Sequence, residues 1–226
     1  MKDLNKNRVL FYLTGMIFLA LGLTLNTKAD MGISPIMSCP FVVSRITGLA
    51  LADVTLASYV IFIAVELIVH RIKKKRRSYF ILDLAQLPFS LVFTRFMALY
   101  GLVIPSLSSE DMLGTAFGSV PFRILVVILA IIFTGIGAIL MLDMALIPNP
   151  GDGIVQALAS LIQKDIPYTK LRFDCFCLCT TIAISLLSGR GLIGINIGTI
   201  LTILGVSRVM KVFNSIFLDK LNQLTQ

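Results

Sequence analysis

Two stretches decide the fold of this chain, Ala29-Asp30-Met31-Gly32-Ile33-Ser34-Pro35 (29–35) and Leu146-Ile147-Pro148-Asn149-Pro150-Gly151-Asp152-Gly153 (146–153). Each follows a long apolar run and interrupts it with proline and glycine. Pro35 and Pro150 are 115 residues apart, and Gly22 and Gly137 in the preceding runs have the same separation. Broken apolar segments at matching places in two halves of a membrane protein point to a solute pathway.

The composition is that of an integral membrane protein. The chain has 226 residues, of which 57% are hydrophobic and 14% charged, with a mean hydropathy of +0.92. A soluble domain carries about 25% charged residues. Runs long enough, or nearly so, to cross a hydrocarbon core lie at 9–27, 54–69, 79–104, 122–146, 170–188 and 191–210. We therefore expect an all-α polytopic membrane protein, with the lipid bilayer as its main partner.

The net charge of +8 is unevenly distributed. Six of the 20 Lys and Arg residues lie in 71–77, between two apolar runs. A short cytoplasmic loop has this composition, and it can also contact anionic lipid head groups. Because no folded basic face accompanies the loop, nucleic acid is not predicted as a partner.

The positive charges also select a topology among the eight apolar segments, which are 9–29, 33–49, 54–70, 79–104, 122–146, 150–163, 170–188 and 191–213. If all eight crossed, the basic N-terminus and the 71–77 loop would lie on opposite faces, against the positive-inside rule. If 33–49 and 150–163 are re-entrant, 15 of the 20 Lys and Arg residues and both termini lie in the cytoplasm. Six transmembrane helices plus two re-entrant segments are predicted.

Each half then has the order span, re-entrant segment, span, span, and the two halves begin on opposite faces. This arrangement is a 3+3 inverted repeat, as in many secondary transporters. The predicted organisation is a first membrane repeat at 1–104, an external loop at 105–121, a second, inverted repeat at 122–213 and a cytoplasmic tail at 214–226. The tail is expected to lie on the membrane surface as an amphipathic helix or to pack on the bundle.

The broken segments supply the first candidate site residues. Asn149 is expected to cap a helix that begins at Pro150, and Ser34 to cap one that begins at Pro35. The N–H groups and positive dipole end at Gly151 and Asp152 would then favour an anion or polar solute. Asp152 could instead satisfy the dipole itself or bind a coupling proton or cation. The alternative is that both motifs are tight surface turns.

Three further candidates, Arg95, Arg208 and Asn196, lie in the later spans. Arg95 aligns with Arg208, and Asp83 with Asn196, each at a separation of 113 residues. Arg95 and Arg208 form one pair, and a charge deep in lipid costs at least ~2.5 kcal/mol. They could bind an anionic solute or form a gating ion pair, or extend to the nearer interface. Asn196 lies in Gly-Ile-Asn-Ile-Gly-Thr (194–199), a pattern that also suits close helix packing. The predicted substrate-binding residues are Ser34, Asn149, Gly151, Asp152, Arg95, Arg208 and Asn196.

No enzyme, metal or cofactor is predicted. Cys175, Cys177 and Cys179 lie in one apolar run without a Cys-x-x-Cys pair, and the single His70 lies at a span end. Glu66 and Asp174, near basic residues at inner span ends, are expected to form weak surface pairs. There is no Gly-x-Ser-x-Gly, His-Glu-x-x-His or P-loop motif, so no catalytic residues are assigned.

The motifs at 29–35, 147–153 and 194–199 resemble the YczE/YyaS/YitT family of bacterial membrane proteins. The resemblance implies a bacterial plasma-membrane protein of a family whose function is poorly defined and often suspected to be transport. We expect a small-solute secondary transporter or channel, with its site between segments 33–49 and 150–163. A non-transporting accessory or regulatory protein, and a substrate-binding subunit of a multi-component uptake system, stay open as alternatives. A homo-oligomer and a complex with a membrane partner protein also stay open. Since there is no ATP-hydrolysing part, active transport would use an ion gradient or a partner protein.

Overall fold

The computed structural model describes residues 5–109, 112 and 114–225. Within these ranges the chain is α-helical and contains no strand. A short 3-10 helix occupies Ala116–Gly118. The helices are α1 (Lys6–Ala29), α2 (Pro35–Thr47), α3 (Leu51–Ile72), α4 (Arg77–Val103), α5 (Val120–Met144), α6 (Pro150–Ile162), α7 (Ile166–Leu187) and α8 (Ile197–Thr225).

Among the residues that the structure describes, five helices are long and apolar enough to cross a membrane. They are α1, α3, α4, α5 and the Ile197–Phe217 part of α8. Helix α7, the sixth predicted span, has 22 residues but carries Lys170, Arg172 and Asp174 in its first half. The all-α class is confirmed, and the five apolar helices have the length and composition of membrane spans, whereas the sixth span stays a prediction.

Helices α4 and α7 bury polar residues and expose apolar ones. On α7 the buried face carries Asp174, Thr181 and Ser185, whereas Phe176 and Leu187 are 66% and 88% exposed. On α4 the same pattern is formed by the buried residues Asp83, Gln86, Ser90 and Thr94 and by the exposed residues Leu84, Leu87 and Leu91. A soluble helix shows the opposite arrangement, and polar residues of membrane helices face the bundle interior.

Helix lengths recur along the chain. Helices α2 and α6 both have 13 residues, and α3 and α7 both have 22. The ends of α1, α2 and α3 recur 115 residues later, within one residue, as the ends of α5, α6 and α7. Even the helix terminations match, because Asp30 after α1 and Ala145 after α5 are both left-handed, with φ of 50° and 49°.

The last helix differs from the predicted segment at both ends. It begins at Ile197 instead of residue 191, since Gly191 and Gly194 have φ of 73° and 76° and interrupt helical geometry. It then continues without a break to Thr225. Residues 214–225 are therefore the end of α8, and Leu221 within them is buried.

The chain forms two compact units, and each takes segments from both predicted repeats. The first unit comprises Met1–Ser34, Leu99–Leu146 and Asn196–Gln226. The second unit comprises Pro35–Ala98 and Ile147–Ile195. The chain crosses from one unit to the other within α4.

In the first unit, α1 and α5 pack closely and antiparallel through glycines. A Cβ on Gly22 would lie 2.8 Å from the Ala130 carbonyl oxygen, and one on Gly137 would lie 2.6 Å from the Gly15 carbonyl oxygen. Helix α8 also packs on α5, where Gly135 faces Val209. Small residues let membrane helices approach at backbone distance.

In the second unit, α2 packs on α7 and α3, and α6 packs on α3 and α7. The hydroxyls of Ser38 on α2 and Thr181 on α7 are 2.7 Å apart and hydrogen-bonded. Phe62 of α3 meets Phe173 of α7 edge to face, with ring centroids 5.6 Å apart. Both short helices therefore lie against the long helices of this unit.

Candidate functional site

The start of α6 has the predicted geometry. Asn149 is its N-cap, and the side-chain oxygen accepts a hydrogen bond of 3.0 Å from the Gly151 N–H. Pro150 occupies the first helical turn, where its missing N–H leaves no intrahelical bond unmade. A Cβ on Gly151 would lie 2.7 Å from the Ile36 Cδ1 atom. The N-terminal turns of α2 and α6, the two broken segments, thus lie side by side.

The first turn of α6 also brings charged groups together. Asp152 is half-buried and interacts electrostatically with Lys170 and Asp174 of α7. Lys170 Nζ lies 3.7 Å from Asp174 Oδ1. The Asn149 side chain interacts with Tyr59, which is 2% exposed. Residues from α3, α6 and α7 therefore form a polar region around the Asn149 cap.

A buried carboxyl adjoins this region. Glu66 of α3 is 1% exposed, and its Oε2 accepts a 2.7 Å hydrogen bond from the Gln86 side-chain nitrogen of α4. A Cβ on Gly153 would lie 2.7 Å from each of the two Glu66 carboxyl oxygens. One helical turn away, His70 Nδ1 and Asp83 Oδ2 are 2.7 Å apart and buried. We name Tyr59, Glu66, Gln86, Asn149, Asp152, Lys170 and Asp174 the polar cluster.

The expectation that Glu66 and Asp174 form surface pairs is wrong. Glu66 is 1% and Asp174 9% exposed. Glu66 is buried because α6 covers it. Gly153 of α6 has no side chain and so leaves room for the Glu66 carboxyl. Asp174 does pair with Lys170, as expected, but the Asp174 side chain is only 13% exposed, whereas that of Lys170 is 45% exposed.

The sequence carried a signal for these residues. Tyr59, Ile63, Glu66 and His70 are spaced by four, three and four residues, and all four are buried on one face of α3. An ionisable residue inside an apolar span is a functional candidate by default. The spacing identifies the face of α3, but the partners on α4 and α6 come from distant parts of the chain.

Ser34 does not cap α2. Helix α2 begins at Pro35 as predicted, but the buried Ser34 hydroxyl oxygen has no hydrogen-bond partner in the described part of the chain. A serine hydroxyl is one bond shorter than the asparagine oxygen that caps α6. The two matched positions therefore differ, and only Asn149 satisfies a helix N–H group.

Asn196, Arg208 and Ser34 belong to the first unit, whereas Arg95 and the α6 residues belong to the second. Asn196 is exposed and its side-chain oxygen accepts from the Ile197 N–H, so it caps α8. Arg208 is exposed on α8. The alignment of Asp83 with Asn196 does not join equivalent places, since Asp83 is buried inside α4.

Arg95 is exposed and paired. Its guanidinium Nη2 lies 2.5 Å from Asp53 Oδ1 of α3, and the two side chains are 53% and 58% exposed. This location agrees with the alternative in which Arg95 extends to an interface. Arg95 lies outside the polar cluster, and the roles predicted for Arg95 and Arg208 stay predictions.

An apolar groove leads toward the α2–α6 contact. It lies between α2, α3 and α7 and is lined by Ile36, Phe62, Phe173, Phe176 and Cys177, among others. Ile36 takes part both in this groove and in the contact with Gly151. In the described ranges no group of three or more His, Cys, Asp and Glu side chains could hold a metal ion.

The apolar helices and the buried polar faces define an α-helical membrane protein with a polar cluster in its interior. Residues 6–215 match a family described as a family of unknown function (DUF6198), so the chain belongs to that family. The narrower resemblance to the YczE/YyaS/YitT family stays a prediction. Comparisons with curated proteins and with solved structures found no match.

Proposed function

We propose that the chain is a small-solute secondary transporter or channel of the bacterial plasma membrane, with the polar cluster as its solute site. The observation that carries the proposal is the capped N-terminus of α6, which lies beside buried acidic side chains and the start of α2. Polar groups are costly inside a membrane protein, and where they occur they mark substrate or ion pathways.

The predicted inverted repeat is supported by paired contacts in the first unit. Gly22 lies against Thr134, and Leu19 lies against Gly137. Adding 115 to 19 and 22 gives 134 and 137. Leu19 and Thr134 are therefore equivalent positions of the two repeats, as are Gly22 and Gly137, and each of the two contacts is the symmetry copy of the other. When residue i of one repeat contacts residue j of the other, and the equivalent of j contacts the equivalent of i, the two repeats are related by a two-fold axis. Since α1 and α5 are antiparallel, the two-fold axis is perpendicular to them and would lie in the membrane plane, as inverted repeats require.

The second unit supports the repeat in the same way. Gly153 of α6 lies against Glu66 of α3, and Ser38 of α2 is hydrogen-bonded to Thr181 of α7. Positions 38 and 66 become 153 and 181 when 115 is added. Ile36 and Gly151, which touch each other, are themselves an equivalent pair. These contacts support re-entrant α2 and α6 that meet at a pseudo-two-fold axis.

Helix α7 fits the role of the sixth span in this proposal. It has the length of its counterpart α3, and its exposed face carries Leu171, Phe176, Leu186 and Leu187. Its charged residues Lys170 and Asp174 pair with each other. With six spans, N- and C-termini in the cytoplasm follow from the distribution of Lys and Arg.

The polar cluster offers a solute one cation, Lys170, and carboxyl groups on Asp152 and Asp174. The apolar groove, which Ile36 helps to line, adds a non-polar surface. A small polar solute with one apolar side suits this combination. A small pocket with few convergent polar groups is the usual form of such a site.

Ligand screening by thermal shift on the purified protein tests the proposal. A solute at 100 times its dissociation constant stabilises the native state by about 2.7 kcal/mol. The shift should vanish in Asp152→Asn and persist in Asp53→Asn, which changes an exposed aspartate of the same chemistry. An equal shift in both variants would remove the polar cluster as the solute site. Absence of any shift across small polar solutes would favour the accessory-protein alternative.

A further inference from the structure

Glu66 and Gln86 share one hydrogen bond and each keeps one unpaired oxygen. The Gln86 nitrogen donates to Glu66 Oε2 at 2.7 Å. Glu66 Oε1 and Gln86 Oε1 are both buried and have no hydrogen-bond partner among the described residues. Both side chains are almost fully buried, at 1% and 0% exposure. Two buried acceptors without donors are costly, since each loses its hydrogen bonds to water.

A single proton resolves this arrangement. A protonated carboxyl has one O–H donor besides its carbonyl oxygen, and a side-chain amide has the complementary donor and acceptor. With the proton on Oε1, Glu66 can donate to Gln86 Oε1 while Gln86 donates to Glu66 Oε2. The two side chains then form a cyclic pair in which every polar atom of the pair is satisfied.

The ionised form lacks compensation. In the described part of the chain, ion pairs join Arg95 to Asp53, Arg123 to Asp30 and Lys170 to Asp174, and none includes Glu66. His70 is hydrogen-bonded to Asp83 and not to Glu66. The Asp83 carboxyl interacts unfavourably with a negative Glu66. A buried charge without an opposite charge normally neutralises.

The equivalent place in the other repeat is neutral. Position 38 is equivalent to 153, and position 66 to 181. Ser38 and Thr181 form a hydroxyl pair, whereas their equivalents are Gly153 and Glu66. Gly153 has no side chain that could hydrogen-bond the Glu66 carboxyl, which is therefore bonded by Gln86. The acid is thus present in one repeat and absent at the corresponding place in the other.

We propose that Glu66 is a proton-binding site, in which its carboxyl and the Gln86 side-chain amide form a cyclic hydrogen-bonded pair. The proton is transferred from a hydronium ion: one O–H bond of the hydronium breaks, an O–H bond forms at Oε1 of the carboxylate, and a water molecule is left. Release of the proton leaves a carboxylate beside Gly153, in the first turn of α6. Because α6 carries the proposed solute site, the proton is also the coupling ion, and this last step rests on the proposed function.

The charged groups around the pair belong to the helices packed near α3. On α3 and α4 they are His70 and Asp83, which pair with each other. On α6 the group is Asp152, and on α7 the groups are Lys170 and Asp174. Arg45 on α2 is exposed and stacks on Phe41. A proton bound by any of these groups has to be distinguished from one on Glu66.

Isotope-edited infrared spectroscopy makes that distinction, because the chain contains only two glutamates, Glu66 and Glu110. Cell-free synthesis with carboxyl-¹³C glutamate labels these two residues and leaves every aspartate unlabelled. At neutral pH the labelled protein in detergent or vesicles should show the C=O band of a protonated carboxylic acid. The band should persist in Glu110→Gln and be lost in Glu66→Gln. Only carboxylate bands in the labelled protein would overturn the proposal.

A second variant tests the pairing with Gln86. Gln86→Leu removes the donor and the acceptor together, so the acid C=O band should move to higher frequency, as expected for a carboxyl without hydrogen bonds. An unshifted band would overturn the cyclic pair. Both infrared measurements use the protein without solute, so they succeed or fail independently of solute binding.

Thermal unfolding gives an independent readout of the proton. A glutamate in the unfolded chain has a pKa of about 4.3. If native Glu66 stays protonated above that pH, unfolding releases a proton and the stability falls as the pH rises. The fall should be smaller in Glu66→Gln than in the wild type and unchanged in Asp53→Asn, on the exposed face of the same helix. Equal pH profiles in wild type and Glu66→Gln would contradict the proton site.

Discussion

Gly15 and Gly137 face each other at backbone distance across the α1–α5 interface. A Cβ on Gly15 would lie 2.9 Å from the Gly137 carbonyl oxygen, and one on Gly137 would lie 2.6 Å from the Gly15 carbonyl oxygen. Distances this short leave no room for a methyl group unless the helices separate. The interface therefore depends on glycine at both positions.

Substituting Gly137 tests this dependence. Gly137→Ala should destabilise the protein by about 1–3 kcal/mol, the usual range for overpacking, even though alanine favours helix formation. Gly101→Ala is the matched control, because Gly101 lies in α4 and a Cβ there would meet nothing within 4 Å. Thermal unfolding in detergent should show a lower midpoint for Gly137→Ala and an unchanged or slightly higher one for Gly101→Ala. Equal midpoints would contradict the close approach of α1 and α5.

The two matched helix starts provide a second prediction. Asn149→Ala removes the side-chain oxygen that accepts from the Gly151 N–H, and should cost about 1 kcal/mol of stability. Ser34→Ala removes a buried hydroxyl without a partner and should be neutral or slightly stabilising. Unfolding midpoints of the two alanine variants measure the difference. A larger loss in Ser34→Ala would mean that the Ser34 hydroxyl caps α2 after all.

The sequence predicted local features of the fold well. Pro35 and Pro150 marked the starts of α2 and α6, since proline at the first turn and a preceding polar residue are local signals. The segments 33–49 and 150–163 were predicted with different lengths, whereas α2 and α6 both have 13 residues. The start of α8 was misplaced because Gly191 and Gly194 adopt a positive φ that an apolar run does not reveal.

The site was only partly predictable. Asn149 and Asp152 were predicted as candidates because they adjoin a helix start that can be recognised locally. Glu66 was assigned to the surface because its neighbours in sequence, 71–77, are basic. Its actual neighbours, Gln86 and Gly153, lie 20 and 87 residues away along the chain. A single sequence does not contain such tertiary contacts.

Cysteine labelling tests the inverted topology. In a variant whose four cysteines are replaced, Leu49→Cys and Ile166→Cys place single thiols at exposed positions near the ends of α2 and α6. The proposed topology requires a membrane-impermeant maleimide to label residue 49 from outside intact cells and residue 166 only after the membrane is permeabilised. Labelling of both residues from the same side would exclude an inverted repeat.

Two glycines in the first turn of α6 connect the fold to the proton site. A Cβ on Gly151 would meet the Ile36 Cδ1 atom at 2.7 Å, and one on Gly153 would meet both Glu66 carboxyl oxygens at 2.7 Å. The Ile36 terminus can rotate away, whereas Glu66 can move only by breaking its hydrogen bond to Gln86. Gly153→Ala should therefore lose about 1–3 kcal/mol of stability. Gly151→Ala should be close to neutral.

The infrared band of labelled Glu66 distinguishes a packing defect from a disturbed acid–amide pair. In Gly153→Ala the C=O band should shift toward that of Gln86→Leu, because both substitutions remove the same hydrogen bond. In Gly151→Ala the band should stay where it is in the wild type. If Gly153→Ala lowers the stability without moving the band, the new methyl group is accommodated by a shift of α6 and the Glu66–Gln86 pair does not depend on the α6 backbone.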